Sequence, residues 1–100
     1  MEGNASVATD VLASYAADAA REVQGVRGLV DGRLPRHGAV RIDGEADRVT
    51  VELHVELAWG ASAPAVGAEV QRRVADYLER MAGARPQAVD VVIDELGPPS

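Results

Sequence analysis

The sequence has no cysteine, no phenylalanine and no lysine, and it has only one tryptophan and two tyrosines. The absence of cysteine excludes disulfides, thiolate metal ligands and cysteine nucleophiles, and it is typical of a reducing compartment. Without phenylalanine, the core has to be built mainly from alanine, valine and leucine. We therefore expect helices that pack close to the strands of a sheet, because small side chains let backbones approach one another.

Long apolar runs are also missing, since none approaches the roughly 20 residues that a membrane-spanning helix needs. The first residues, Met1–Asn4, are acidic and precede no apolar stretch, so we expect no signal peptide. The formal net charge of −6 disfavours unspecific binding to nucleic acid and to anionic lipid surfaces. Together these absences predict a soluble, cytoplasmic, acidic domain.

Hydrophobic periodicity predicts two amphipathic helices, over Ser6–Gln24 and Ser62–Ala82. Glycine at position 25 and glycine at position 83 are expected to end them, because glycine adopts the left-handed conformation that follows many helices. The expected apolar stripe of the first helix consists of Val7, Val11, Tyr15, Ala19 and Val23, widened by Leu12, Ala16 and Ala20. The stripe of the second helix consists of Val66, Val70, Val74, Tyr77, Leu78 and Met81.

Four strands are predicted, over Val26–Val30, Ala39–Asp43, Arg48–Ala58 and Ala88–Leu96. The third has a strict period of two, with aliphatic side chains at every odd position and polar ones between them. Such alternation is typical of a strand with one face on the core and the other toward water. Gly60 is expected to form the turn from this strand into the second helix.

The predicted fold is α+β, with two helices packed on one face of a mixed four-stranded sheet in the order α-β-β-β-α-β. Short turns favour an antiparallel meander of the first three strands, and the second helix would return the chain to a parallel fourth strand. Residues 6–96 form the single predicted domain, with a disordered lead at 1–5 and a tail at 97–100. The outer face of the sheet is expected to be open.

That outer face carries Glu52, His54 and Glu56 on one strand, with Val92 expected beside them on the last strand. Residues two apart on a strand lie about 7 Å apart, so two of these side chains could reach one ion or share acid–base work. A third ligand would have to come from elsewhere, and Asp90 or Asp94 could supply it if the last strand is adjacent. We expect a solvated sheet face instead, and we assign no metal ligand, cofactor site or catalytic residue.

Trp59 is the most suggestive single residue, since it follows the third strand directly. A lone tryptophan at a strand end is usually a lid on the core, and the alternative is an anchor in a protein interface, where tryptophan is enriched. Arg33, Arg36, His37 and Arg41 form a basic patch in and after a predicted loop, which could hold a phosphate or an acidic partner. No glycine-rich phosphate cradle accompanies them.

The order of several motifs resembles that of a known family. These segments are the helix end with the following strand start (Ala19–Val26), the strand with its turn (Val49–Gly60), the helix Val66–Gly83 and the closing strand Val89–Ile93. The set is similar to the alkaline shock protein family, also called the cell-envelope stress response family. Trp59 stands where tyrosine is common in that family, and Ala82 where threonine is common.

The resemblance implies a small cytoplasmic bacterial protein without enzyme activity, linked to envelope stress. It also implies self-association or attachment to a membrane-anchored relative, and it supplies no catalytic residues. Gly25, Gly60 and Gly83 would then be structural glycines.

Our leading hypothesis is a non-enzymatic protein-interaction module in cell-envelope homeostasis. Its candidate surface is formed by Glu52, His54, Glu56, Trp59 and Val92. Its partners would be a second copy or a membrane-anchored relative, with peripheral membrane association through that partner and neither nucleic-acid binding nor membrane insertion. The alternative is a regulatory subunit of an enzyme in lipid or envelope metabolism, and the sequence does not separate the two.

Overall fold

The structure is a computed structural model that describes residues 2–30, 38–45 and 48–96, with side chains described for 9–30, 38–44 and 48–93. Two helices and four strands follow in the predicted order, and the tail at 97–100 lies outside the described residues. The fold is the predicted two-layer α+β arrangement, with both helices on one face of a mixed sheet. The elements are α1 (Glu2–Arg21), β1 (Val26–Leu29), β2 (Val40–Glu45), β3 (Arg48–Leu57), α2 (Ala63–Ala82) and β4 (Pro86–Leu96).

Strand β3 is the centre of the sheet. Its odd-numbered residues from Val49 to Leu57 are at most 1% exposed, whereas the described residues between them are partly exposed. This is the alternation that the sequence predicts. Strand β4 pairs with β3 in parallel along nearly its whole length, from Val49 opposite Pro86 to Leu57 opposite Leu96. Helix α2 supplies the long crossover that a parallel pair requires.

The predicted meander is wrong, because β1 does not pair with β2. Both pair antiparallel with β3, β1 opposite residues 55–57 and β2 opposite residues 48–53. Since β4 occupies one edge of β3, β1 and β2 lie end to end along the other. They meet at His54, whose carbonyl accepts from Val30 N–H and whose N–H donates to Ala39 C=O, both at 2.9 Å. The sheet is therefore three strands wide.

Helix α1 begins at Glu2, four residues before the predicted start at Ser6, so the lead predicted to be disordered is helical from residue 2. It also ends earlier than predicted, at Arg21 rather than Gln24. Glu2 favours the start of a helix because a carboxylate complements the positive end of the helix dipole, whereas Gly3 and Asn4 are weak helix formers, which is why the sequence pattern did not indicate this turn. The buried stripe is centred on Leu12, Ala16 and Ala20, so Val11 is 38% exposed instead of facing the core.

Gly25 does not end α1 directly but lies in the turn that leads into β1. Its φ of 100° is unfavourable for other residues, and a Cβ atom there would lie 2.6 Å from Val66 Cγ2. The Gly25 carbonyl accepts a hydrogen bond from Ala58 N–H at 2.8 Å. The turn after α1 is thereby held against the end of β3 and the first turn of α2.

Helix α2 has the predicted bounds within one residue. Ser62 caps its start, with Oγ accepting from Ala65 N–H at 3.3 Å, and Gly83 ends it in the left-handed conformation, with φ 66°. Gly83 N–H donates to Glu79 C=O at 3.0 Å. Strand β4 begins at Pro86, two residues before the predicted start, which is a position where a strand tolerates proline.

Small aliphatic side chains form the core between the two layers. Among the described residues, no polar or charged side chain is buried. Tyr15 of α1 and Tyr77 of α2 meet edge to face above this core, with ring centroids 5.6 Å apart and ring planes at 88°. This aromatic contact joins the two helices to each other. The face of the sheet that lies away from the helices is the outer face.

Candidate functional site

The candidate site begins with the outer face of the sheet, which no described element covers. Glu52, His54 and Glu56 project from β3 on this face, because the intervening residues of the strand point into the core. Val92 lies directly beside His54 in the register of β3 and β4, so the prediction that it faces outward is confirmed. Val92 is partly exposed.

Glu52 is at the centre of the charged contacts on the outer face. His54 Nε2 donates to Glu52 Oε2 at 2.7 Å, since an ionised carboxylate only accepts. The guanidinium of Arg41, on the neighbouring strand β2, lies 3.8 Å from Glu52 Oε1 and donates to Asp43 Oδ2 at 3.0 Å. The side chains of His54 and Glu52 are only 12% and 28% exposed, so these contacts hold them close to the sheet.

Glu56 makes a similar pair one step along β3. Arg27 Nε lies 3.7 Å from Glu56 Oε2, and the side chain of Glu56 is 26% exposed. Arg27 occupies the irregularity where the register of β1 and β3 shifts. The outer face therefore combines charged pairs that lie flat on the sheet with the apolar side chain of Val92.

The structure brings Glu52 and His54 together but gives them no third ligand among the described residues. Asp90 stands opposite Glu52 in the register of β3 and β4. Even so, the described part of the chain contains no group of three histidine, aspartate or glutamate side chains arranged to hold a metal ion. The histidine and the glutamate instead form a hydrogen-bonded pair.

Trp59 lies just past the end of β3, at the edge of the site. It is 59% exposed and is not among the described hydrophobic side chains that pack against the core. The interpretation of Trp59 as a core lid is therefore wrong. Gly60 follows it with φ 90°, and a Cβ there would meet no atom within 4 Å, so the glycine serves the turn rather than a close contact.

Sequence inspection missed the surface that surrounds Trp59. Residues 57–68 include no charged side chain, although 26% of the whole chain is charged. Pro64, Ala65 and Ala68 of α2 are exposed in this segment. The signal that could have identified this surface is the gap between Glu56 and Glu69 in the distribution of charge.

Three members of the basic patch predicted from the sequence, Arg33, Arg36 and His37, lie outside the described residues. Its remaining member, Arg41, is engaged with Glu52 and Asp43.

The outer side of α2 differs from the sheet face, because its charges are paired along the helix. Glu69 accepts from Arg72 Nη2 at 2.6 Å and from Arg73 Nε at 2.9 Å. These hydrogen bonds, the one from Arg72 first, hold the pKa of Glu69 below its usual value, and the same bond raises the pKa of Arg72. Asp76 and Arg80 form a further pair at 3.1 Å.

No described helix is long and apolar enough to cross a membrane.

Comparison with known families gives a match over nearly the whole chain. The model of the alkaline shock protein 23 family, described as having a cell envelope-related function, matches residues 1–97. No curated protein matches the sequence significantly.

Comparison with solved structures finds the same fold in variants of the MamM C-terminal domain (CTD). The H264E-E289H variant has a TM-score of 0.64 at 13% identity, covering 91% of this chain and 96% of that one. The H264A-E289A-C267S variant has a TM-score of 0.59 at 15% identity, covering 89% and 96%. Likeness at this identity concerns the fold alone.

Proposed function

Because the chain belongs to the alkaline shock protein 23 family, which has a cell envelope-related function, we propose that it is a non-catalytic protein-interaction module in envelope homeostasis. It would dock on a membrane-anchored partner, on a second copy of itself, or on both. Its docking surface would comprise the outer face of the sheet and Trp59. Association with the membrane would be peripheral and would depend on the partner.

The observation that carries this proposal is that no element of the described chain covers the outer face of the sheet. In a two-layer fold, this face is available to a partner over the width of three strands. Val92 offers apolar contact at its middle, and Trp59 offers a large apolar side chain at its end. The charged pairs of Glu52 and Glu56 lie around them and would favour a partner with a complementary pattern of charge.

The environment of the ionisable groups supports a role without catalysis. Catalytic acids and bases usually lie in clefts, where burial and neighbouring charges shift their pKa values. The pKa of Glu69 is lowered and that of Arg72 is raised because the two side chains form an exposed ion pair on the helix. That pair stabilises a surface and does not line a cleft that could enclose a substrate.

Affinity capture from native cells tests the proposal. The chain is captured after mild cross-linking with the membrane fraction retained, alongside a double variant, Val92→Gln with Trp59→Gln. We expect the wild type to recover a small membrane protein or a related family member and the double variant to lose it. Docking interfaces depend on a few large apolar contacts, so both substitutions should matter.

A matched control changes two exposed apolar residues in the other layer, Val11→Gln with Met81→Gln, which are 38% and 49% exposed. This control should capture the partner as the wild type does, and circular dichroism should show all three proteins folded. Capture that survives in the double variant would refute the proposed surface. Recovery of a metabolic enzyme, lost only in the double variant, would favour an enzyme-regulating subunit instead.

A further inference from the structure

Strand β4 lies at one edge of the sheet and pairs on one side only, with β3. It has 11 residues, roughly twice the usual length of about 5–6 residues. The opposite edge of the sheet is divided between two short strands, β1 with 4 residues and β2 with 6. Among the described strands, β4 therefore has the longest continuous line of backbone donors and acceptors with no strand paired to it.

The hydrogen bonds of β3 indicate which backbone groups of β4 face the free edge. His54 directs both its N–H and its C=O toward β1 and β2. Since backbone groups alternate between the two edges of a strand, Leu53 directs its own toward β4. Leu53 lies opposite Val91, and in a parallel pair the slanted bonds go to the residues before and after the one opposite. Val91 therefore directs its N–H and C=O to the free edge, and so do Val89 and Ile93.

A side chain of α2 supports this direction independently. Gln71 Nε2 donates to Val89 C=O at 2.9 Å, which requires that this carbonyl is accessible from outside the ladder of β3 and β4. The contact satisfies the acceptor of the edge that lies nearest to α2. Farther along β4, the backbone groups of Val91 and Ile93 that face this edge have no hydrogen-bond partner within the described chain.

The side chains along this edge are apolar and incompletely buried. Val91 and Ile93 pack at the margin of the core, Val92 points to the outer face, and all three are partly exposed. We call these three residues the apolar run. Proteins usually protect exposed edges with charged side chains, proline or a covering element, because a bare apolar edge pairs with other chains. The apolar run has no charge of its own, so it is suited to being covered by an added strand.

Charge indicates the kind of strand that fits. Asp90 is exposed beside the apolar run and has no ion-pair partner among the described residues. In contrast, Glu52 and Glu56 have arginine side chains 3.8 Å and 3.7 Å away. Opposite charges on neighbouring strands stabilise a sheet, and like charges destabilise it. Strand β4 itself contains three acidic residues and no basic one, so the β4 of a second copy does not complement this edge.

We infer that the edge of β4 from Val89 to Ile93 accepts an extended segment of another protein as an additional strand, and that this segment combines apolar residues with lysine or arginine. Strand addition of this kind gains affinity from main-chain hydrogen bonds and specificity from alternate side chains. The inference rests on the proposed function as an interaction module. It states how the partner would attach, because the added strand would widen the outer face beside Val92.

Amide hydrogen exchange followed by NMR tests this edge residue by residue. In the free protein, the amides of Val91 and Ile93 should exchange at least about tenfold faster than that of Val92, which faces β3. The probe is a synthetic peptide of about seven residues, acetylated and amidated, in which valine alternates with threonine and arginine replaces the central threonine. At a probe concentration about tenfold above its Kd, exchange at Val91 and Ile93 should slow about tenfold.

Two changes separate strand addition from unspecific apolar binding. A peptide with the same side chains but methylated backbone nitrogens should bind at least about tenfold more weakly, because it has lost its donors. Asp90→Arg should weaken binding of the arginine peptide at least about threefold and strengthen binding of a peptide with glutamate in its place. Glu22→Arg makes a similar change of charge at an exposed site in the turn after α1, and it should alter neither affinity.

Exchange at Val91 and Ile93 that the probe does not slow would overturn the inference, as would equal binding of the methylated peptide. A preference for arginine that survives in Asp90→Arg would refute the basic segment. Protection of these amides that rises with protein concentration, without the probe, would also overturn the inference, because a second copy would then occupy the edge.

The capture experiment separates these failures from that of the proposed function. If the wild type recovers a partner that the double variant of Val92 and Trp59 loses, the proposed function stands even where the probe leaves the edge of β4 unprotected. A probe that protects the edge while no partner is captured would support strand addition and contradict the proposed docking.

Discussion

Replacing Gly25 by alanine should lower the free energy of unfolding far more than the position of Gly25 in an irregular turn suggests. The residue has φ 100°, and a new Cβ would lie 2.6 Å from Val66 Cγ2. Strained backbone of this kind costs about 1–3 kcal/mol, and overpacking a filled site costs a further 1–3 kcal/mol or so. The expected loss of about 2–6 kcal/mol is a large part of the roughly 5–15 kcal/mol that typically stabilises a domain.

Urea denaturation measures the loss in the free energy of unfolding of Gly25→Ala. In thermal unfolding, the same loss should lower Tm by at least about 8 °C. Gly60→Ala is the matched control, because Gly60 also has positive φ, 90°, but open space around the new Cβ. The free energy of unfolding of Gly60→Ala should fall only by the cost of the strained backbone, roughly 1–3 kcal/mol.

A double-mutant cycle with Val66→Ala isolates the steric part. Val66 is 7% exposed, so its truncation alone should destabilise the protein. In the Gly25→Ala background the same truncation removes the overlapping methyl group, and its cost should fall by about 1–3 kcal/mol. If the two changes are additive within about 0.5 kcal/mol, or if Gly25→Ala is as mild as Gly60→Ala, the close approach of these residues is not what fixes glycine here.

Two further predictions concern single contacts. The pKa of Glu69 is lowered in the folded protein, mainly by its hydrogen bond from Arg72, so its contribution to stability is present above the ordinary pKa of 4.5 and disappears as pH falls through the folded pKa. The Tm difference between wild type and Glu69→Gln should therefore be seen above about pH 5 and vanish in stronger acid, and a difference that persists there would contradict this origin. Gln71 Nε2 donates to Val89 C=O at 2.9 Å, so Gln71→Ala should lower the free energy of unfolding by about 0.5–1.5 kcal/mol in urea titrations. The exposed Gln24→Ala serves as control, and equal effects of the two substitutions would show that the bond to β4 contributes nothing.

Strand β3 and helix α2 could be predicted almost residue by residue, because each is specified by its own side chains. The alternation from Val49 to Leu57 fixes which face is buried, and Ser62 and Gly83 mark the ends of α2 with groups that cap backbone donors and acceptors. Both signals are local, so they need no knowledge of the partner elements. The parallel pairing of β4 also followed, since a helix as long as α2 can carry the chain back along the sheet.

The arrangement of β1 and β2 could not be predicted in the same way. Alternation tells which face a strand buries but does not tell which edge of which strand it joins. Here β3 is long enough for two short strands to share one edge, with Val30 and Ala39 both bonded to His54. An assignment from turn length alone therefore placed β1 beside β2.

For a related reason, the sequence left the exposure of Trp59 as the alternative to a lid on the core. The end of β3 is already closed by Gly25, whose carbonyl bonds to Ala58 N–H, and by Ala61, which packs on the core. The residues next to Trp59 in the sequence do not indicate that Gly25 and Ala61 close the end of β3.

The exposed parts of the molecule differ in how far their charges are already satisfied, and this difference argues for where a partner would bind. On α2, Glu69 pairs with both Arg72 and Arg73 along a single helix, so a partner would have to compete with pairs that form without it. The segment 57–68 around Trp59 includes no charged residue, so no ion pair forms within it. Burial of the Trp59 side chain by a partner would therefore break no ion pair of this segment, and the cost of desolvating paired charges that opposes binding on α2 is smaller here.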